Sequence, residues 1–200
     1  MGAATNTPRD GRTVRAERTR QALVDAFLAL LYEGELRPTA ERISARAGVS
    51  ERSLFQHFAD REVLYQAVAL QQYERVAPTL EPVDLSLPLP ERIDAFVGQR
   101  ARLLEEVTPV RRAALLLEPD SEVVSGWLQS TRRQKARELE RVFRAELDQL
   151  EQPQRGVVLS ALAAASAWTF WESLRAHQRL SVDRSRAAMR EAIASLLGER

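Results

Sequence analysis

Two helix-cap candidates, Thr39 and Ser50, stand on either side of one glycine, Gly48. That spacing constrains the chain more than any other feature. A helix capped by Thr39 has room for about two turns before Gly48 breaks it, and a second short helix starts after Ser50. Gly48 supplies the left-handed backbone that a tight turn needs. In the first helix Ile43 and Ala47 face inward, and Ser44 is small where the two helices approach. In the second, Val49, Leu54 and Phe58 form the apolar side, and Phe55 is assigned to the core with Phe58. Glu51, Arg52, Ser53, Gln56 and His57 are left facing out. This is the spacing of a helix-turn-helix, whose second helix lies in a major groove and reads base edges. Arg forks onto guanine, Gln onto adenine, Glu accepts from cytosine and Ser suits several edges. A solvated surface helix gives the same pattern, so the spacing alone leaves both readings open.

The rest of the chain is helical by its periodicity. Leu23, Ala26, Phe27, Leu30 and Leu31 make one stripe at helical spacing, ending near Gly34. Asp60 caps a helix that ends before Pro78. A proline-rich connection, residues 81–90, precedes a helix through Glu106. Thr108 and Pro109 read as a cap and first residue of a short helix that stops at Pro119. Asp120 is a cap candidate for a long helix to Leu150. Pro153 opens another to about His177, and Ser181 or Asp183 opens the last, to Leu197. No strand-period alternation appears. The expected class is all-α with about nine helices. Residues 1–12 are assigned to a disordered arm, 13–60 to the helix-turn-helix domain and 61–200 to a larger helical domain. Residues 157–168 are apolar nearly all round, which predicts burial on both sides, one of them against a second chain.

Composition removes several function classes. The chain has 200 residues, 44% of them hydrophobic, and a net charge of only +1, which points to no particular partner. It has no cysteine, so disulfides, thiolate metal sites and cysteine nucleophiles are excluded. Two histidines far apart, His57 and His177, offer no histidine-rich metal site. No Gly-rich phosphate loop, HExxH or serine-nucleophile motif is present, and no catalytic residue or cofactor is assigned. The longest apolar stretch, residues 156–171, falls short of the roughly 20 residues a membrane span needs. The expected location is the cytoplasm. Lys135 is the only lysine, and residues 9–20 carry five arginines, Arg15 and Arg18 among them, against two acids. That is a local excess suited to phosphate.

Residues 19–68, above all "ISARAGVSERSLFQHF" followed by "ADREVL", closely resemble the DNA-binding domain of TetR-family transcriptional regulators. The match covers about a quarter of the chain. The resemblance implies a homodimeric repressor on a double-stranded DNA operator, with a variable C-terminal domain for dimerisation and a small-molecule effector. By position it places Glu51, Arg52, Ser53 and Gln56 on bases, and Thr39, His57 and Arg61 on phosphates. Two positions depart from the family pattern. Phe55 stands where a tyrosine usually gives its hydroxyl to a phosphate, and Glu41 where a basic or polar contact is common. The competing reading is an all-α protein–protein interaction module that does not bind DNA.

For the effector, Phe96, Trp127, Thr131, Trp168 and Trp171 are the candidate lining residues, with Arg100 or Gln72 as further polar groups. Inter-helical pockets are mostly apolar with a few polar groups. Aromatics at helical spacing also serve as plain core, and ligand identity cannot be read from them.

Overall fold

The computed structural model describes residues 8–198. Among them are ten α-helices and no strand: α1 (Pro8–Tyr32), α2 (Ala40–Ala47), α3 (Glu51–His57), α4 (Arg61–Val76), α5 (Leu89–Leu117), α6 (Glu122–Val142), α7 (Arg144–Leu147), α8 (Gln154–Ala165), α9 (Trp168–Glu172) and α10 (Val182–Leu196). The chain forms two compact units, one from the residues through Arg75 with Pro109–Val124, the other from Val76–Thr108 with the residues from Ser125 onward.

In the first unit α1 packs on α2 and α3. Leu23, Phe27, Leu30 and Leu31 of the predicted stripe are 2% exposed or less. Phe27 meets Tyr65 of α4 edge-on, with ring centroids 6.5 Å apart. Tyr65 is buried and its hydroxyl donates to the Val110 carbonyl at 2.6 Å. Burial pushes this phenol well above its ordinary range, against an opposing pull from Arg111. The fold therefore keeps Tyr65 neutral, as a donor. Arg37 closes the unit with a 2.9 Å bond to the Leu116 carbonyl.

The second unit is built on residues 89–108 of α5. Phe96 is fully buried and meets Phe143 edge-on at 5.4 Å. Arg100, one turn further, is 1% exposed. Its guanidinium lies 4.9 Å from the Phe96 ring centroid, and Nη2 donates to Glu138 at 2.7 Å. Nε and Nη1 have no hydrogen-bond partner. Burial lowers the Arg100 pKa, while Glu138 opposes that shift. Glu105 of the same helix accepts from the Trp171 indole at 2.7 Å and from Arg175 at 2.9 Å. Trp168 donates to the Thr108 hydroxyl at 3.0 Å.

Several expected boundaries change. α1 begins at Pro8, so the final residues of the assigned disordered arm are helical; residues 1–7 lie outside the described residues. Thr108 and Pro109 open no helix, because α5 runs through them without interruption. Pro109 removes one backbone donor. The Thr108 hydroxyl turns back to the Leu104 carbonyl at 2.6 Å instead of capping. Ser121, not Asp120, caps α6, accepting from the Val124 amide at 3.1 Å. The helix expected to reach Leu150 breaks at Phe143, whose backbone leaves the helical region. The helix expected from Pro153 to His177 breaks at Ala167, which is extended (ψ 156°), and α9 continues as a π-helical turn over Ser173–His177. The two parts are bent by 46°. Among the described residues no single helix is long and apolar enough to cross a membrane; only this bent pair reaches the required length and composition. Its Trp168, Trp171 and Leu174 are buried in protein. In the single chain α8 is covered on one side only: Leu162 and Ala165 are buried and Val157 is 66% exposed.

The Arg100–Glu138 pair generates a stability prediction. Glu138→Ala leaves a buried guanidinium without its carboxylate, which costs about 3 kcal/mol. Replacing both residues by leucine costs far less, because no charge is then stranded. Urea unfolding of the two variants, followed by circular dichroism, checks the contrast.

Candidate nucleic-acid interface

α3 has seven residues, fewer than a free helix needs. Its ends and one face hold it in place. Ser50 caps it, accepting from the Ser53 amide at 3.3 Å. Thr39 caps α2 in the same way, from the Arg42 amide at 3.2 Å, and Asp60 caps α4 from Val63 at 2.8 Å. All three predicted caps are present. Gly48 adopts φ +69° and donates to the Ala45 carbonyl, turning α2 into α3. Leu54 and Phe58 are buried at 4% and 0% exposure. Arg20 of α1 lies over the Phe58 ring, 4.9 Å from its centroid. Ile43 and Ser44 are buried in α2; the Ser44 hydroxyl has no hydrogen-bond partner, so its small size rather than its polarity suits the site.

The outward side of α3 presents Glu51, Arg52 and Gln56, all exposed, with Ser53 and His57 half-buried beside them. Phe55 corrects the expectation from sequence. It is 59% exposed, while Phe58 takes the core position. The reason is helical spacing: Phe58 follows Leu54 by four residues and shares its face, whereas Phe55 follows Arg52 by three and shares the polar one.

The basic residues divide into two groups. Arg15 and Arg18 are exposed on α1, outside the packed stripe. Thr39 is exposed beside its cap bond. Arg61, assigned to phosphate, donates Nη2 to the Pro38 carbonyl at 2.5 Å, so it braces the connection leading into α2. Arg46 forks onto Glu33 at 2.9 and 2.6 Å, and Arg42 reaches Glu35 at 3.3 Å. The hydrogen bond from Arg46 holds the Glu33 carboxyl below its ordinary range. Arg42 and Arg46 are exposed and still held by these carboxylates, where an arginine on the outer side of a short helix would be expected to be mainly solvated. The acids Glu33 and Glu35, flanking Gly34, were the available signal for these pairs. Glu41 is exposed on α2.

The five effector candidates are not brought together on one described cavity. Phe96 packs with Phe143 and Arg100, while Trp168 and Trp171 bond to Thr108 and Glu105. Trp127 is 38% exposed, and Thr131 bonds to its carbonyl at 3.0 Å. A groove of about 420 Å³ in the second unit is lined by Asp94, Val97, Asp183, Arg186, Ala187 and Arg190, none of them a candidate. Gln72 is buried in the first unit and accepts from the Tyr32 hydroxyl at 3.2 Å. Among the described residues no group of His, Asp or Glu could hold a metal ion.

A capped, clamped short helix after a glycine turn, in an all-α chain, defines a helix-turn-helix protein. Residues 23–68 match the model of the bacterial regulatory proteins of the tetR family. The whole chain is similar in fold to solved regulators. A tetR-family transcriptional regulator from Streptomyces coelicolor is 18% identical, with a TM-score of 0.71 over 90% of this chain and 80% of that one. A transcriptional regulator from Rhodococcus sp. Rha1 is 16% identical, with a TM-score of 0.67 over 92% of this chain and 96% of that one. The SmeT–triclosan complex is 19% identical, with a TM-score of 0.60 over 88% and 90%. No curated protein matches by sequence. Residues 23–68 are thus a tetR-family domain, and the chain as a whole shares its fold with solved regulators.

The turn geometry sets a second prediction. A Cβ at Gly48 would meet nothing within 4 Å, so Gly48→Ala carries only the backbone cost of a positive φ. That cost is about 1 kcal/mol. Chemical denaturation should show it as a lower midpoint with an unchanged slope.

Proposed function

We propose that this chain is a homodimeric DNA-binding repressor, cytoplasmic, released from its operator by a small molecule. The observation that carries the reading is the outward face of α3, with Glu51, Arg52 and Gln56 exposed on a helix fixed by caps and by buried Leu54 and Phe58. In this reading Glu51, Arg52, Ser53 and Gln56 contact bases. Thr39, His57, Arg61, Arg15 and Arg18 contact the sugar-phosphate backbone. Arg61 has a second duty, since its bond to Pro38 positions Thr39 next to it in sequence.

The exposed side of α8 supports dimerisation. Val157, Ser160 and Ala164 lie on one helical face open to solvent in the single chain. An isologous contact covers such a face twice. In a dimer the two α3 helices would enter successive major grooves, roughly 34–36 Å apart. An effector acts by binding more tightly to a dimer that cannot meet both grooves. SmeT, captured with triclosan, is a fold neighbour that takes a small molecule. The residues proposed for the effector here are Phe96, Trp127, Thr131, Trp168 and Trp171. The tetR-family match favours DNA binding over a simple protein-interaction module, and regulation over catalysis.

Selection from random duplexes followed by titration tests the reading. The protein should enrich a roughly palindromic site and bind it with a steep inverse dependence on salt. Arg52→Ala should lose about 1–3 kcal/mol on that site and accept substitutions at one base pair per half-site. Equal binding of selected and random DNA by folded protein would overturn the assignment. In sedimentation, the species at micromolar concentration should be twice the 22.6 kDa of one chain. Val157→Glu should shift it toward the single chain.

A further inference from the structure

Phe55 is a large apolar side chain on the face of α3 that otherwise carries the polar reading groups. It is 59% exposed, and the core positions beside it are filled by Leu54 and Phe58. It has no hydroxyl, so it cannot donate to a phosphate as a tyrosine would. Arg52, three residues earlier, is its neighbour on the helix surface. Among the described residues the ring is covered only in part, and most of it is left in water beside hydrogen-bonding groups. In a major groove one base edge is apolar, the C5-methyl group of thymine, and phenylalanine is among the residues that contact it.

We infer that Phe55 is a specificity-determining residue that reads a thymine methyl group in each operator half-site. The thymine lies next to the base pair contacted by Arg52. This inference rests on the proposed placement of α3 in the major groove. It adds an apolar element to a reading head otherwise made of hydrogen-bonding groups. It also gives the tyrosine-to-phenylalanine departure a use, since the ring now turns to the bases.

The experiment uses wild-type protein and the duplex enriched by selection. Each thymine of one half-site is replaced in turn by uracil, which removes the methyl group and leaves the pairing edge intact. Removing one methyl from an apolar contact should weaken binding about fourfold, at a single position. Phe55→Ala should bind the parent duplex with the same loss and show no further loss on the uracil duplex. Phe55→Leu, still apolar, should retain part of the uracil effect. Phe55 is exposed, so both variants should unfold at the wild-type midpoint. If no uracil position weakens binding in a Phe55-dependent way while the selected site is still bound, the inference falls and the DNA-binding reading stands. A uniform loss with Phe55→Ala, blind to uracil, would place the ring on the sugar-phosphate backbone and also overturn it. If Phe55→Ala alters oligomeric state but not DNA affinity, a protein contact covers the ring and the inference falls. If selection enriches no sequence, both readings fail together.

Discussion

The burial of Leu54 and Phe58 is the contact on which the first unit's function depends. Seven residues cannot hold a helix by backbone bonds alone. α3 persists because these two side chains are taken from water against the helices it packs on, and because Ser50 satisfies an amide at its start. Arg20 adds a cation over the Phe58 ring, tying α1 to the same anchor. What α3 presents outward therefore has fixed positions. A reading head needs that, since hydrogen bonds to base edges tolerate little displacement.

The second unit uses a different principle. Its helices are tied by polar groups at the core's edge: Glu105 accepts from an indole and a guanidinium, and Arg100 spends one nitrogen on Glu138. Such contacts are directional, unlike apolar packing, and each strands a partner if broken. Two nitrogens of Arg100, Nε and Nη1, are still unmatched. A core pinned in this way selects one arrangement of its helices at some cost in stability.

The sequence made the first unit legible because its signals are local. Thr39, Ser50 and Asp60 act on amides three residues away, and Gly48 acts on its own backbone, so each could be read without knowing what lay across the fold. Phe55 shows where local reading stops. Aromatic character suggested core, but two neighbours at better helical positions had already filled it. The same limit applies further along. Pro109 looked like a helix start, yet α5 runs on through it, with the Thr108 hydroxyl turned back to Leu104. The breaks at Phe143 and Ala167 have no glycine or proline to mark them. The effector side is least legible, because a pocket is a relation among distant helices, and aromatic residues serve core and pocket alike.

The pairing of Arg42 with Glu35 and of Arg46 with Glu33 bears on how such a protein moves through a genome. Both arginines belong to α2, and both already have a carboxylate. They release few counterions on meeting a phosphate, because the acids have partly neutralised them. With a net charge of only +1, the chain as a whole adds little to the attraction that its local basic segment, residues 9–20, exerts on a phosphate backbone. Under the proposed reading, discrimination between sequences then falls to the groups that α3 presents outward rather than to the arginines of α2.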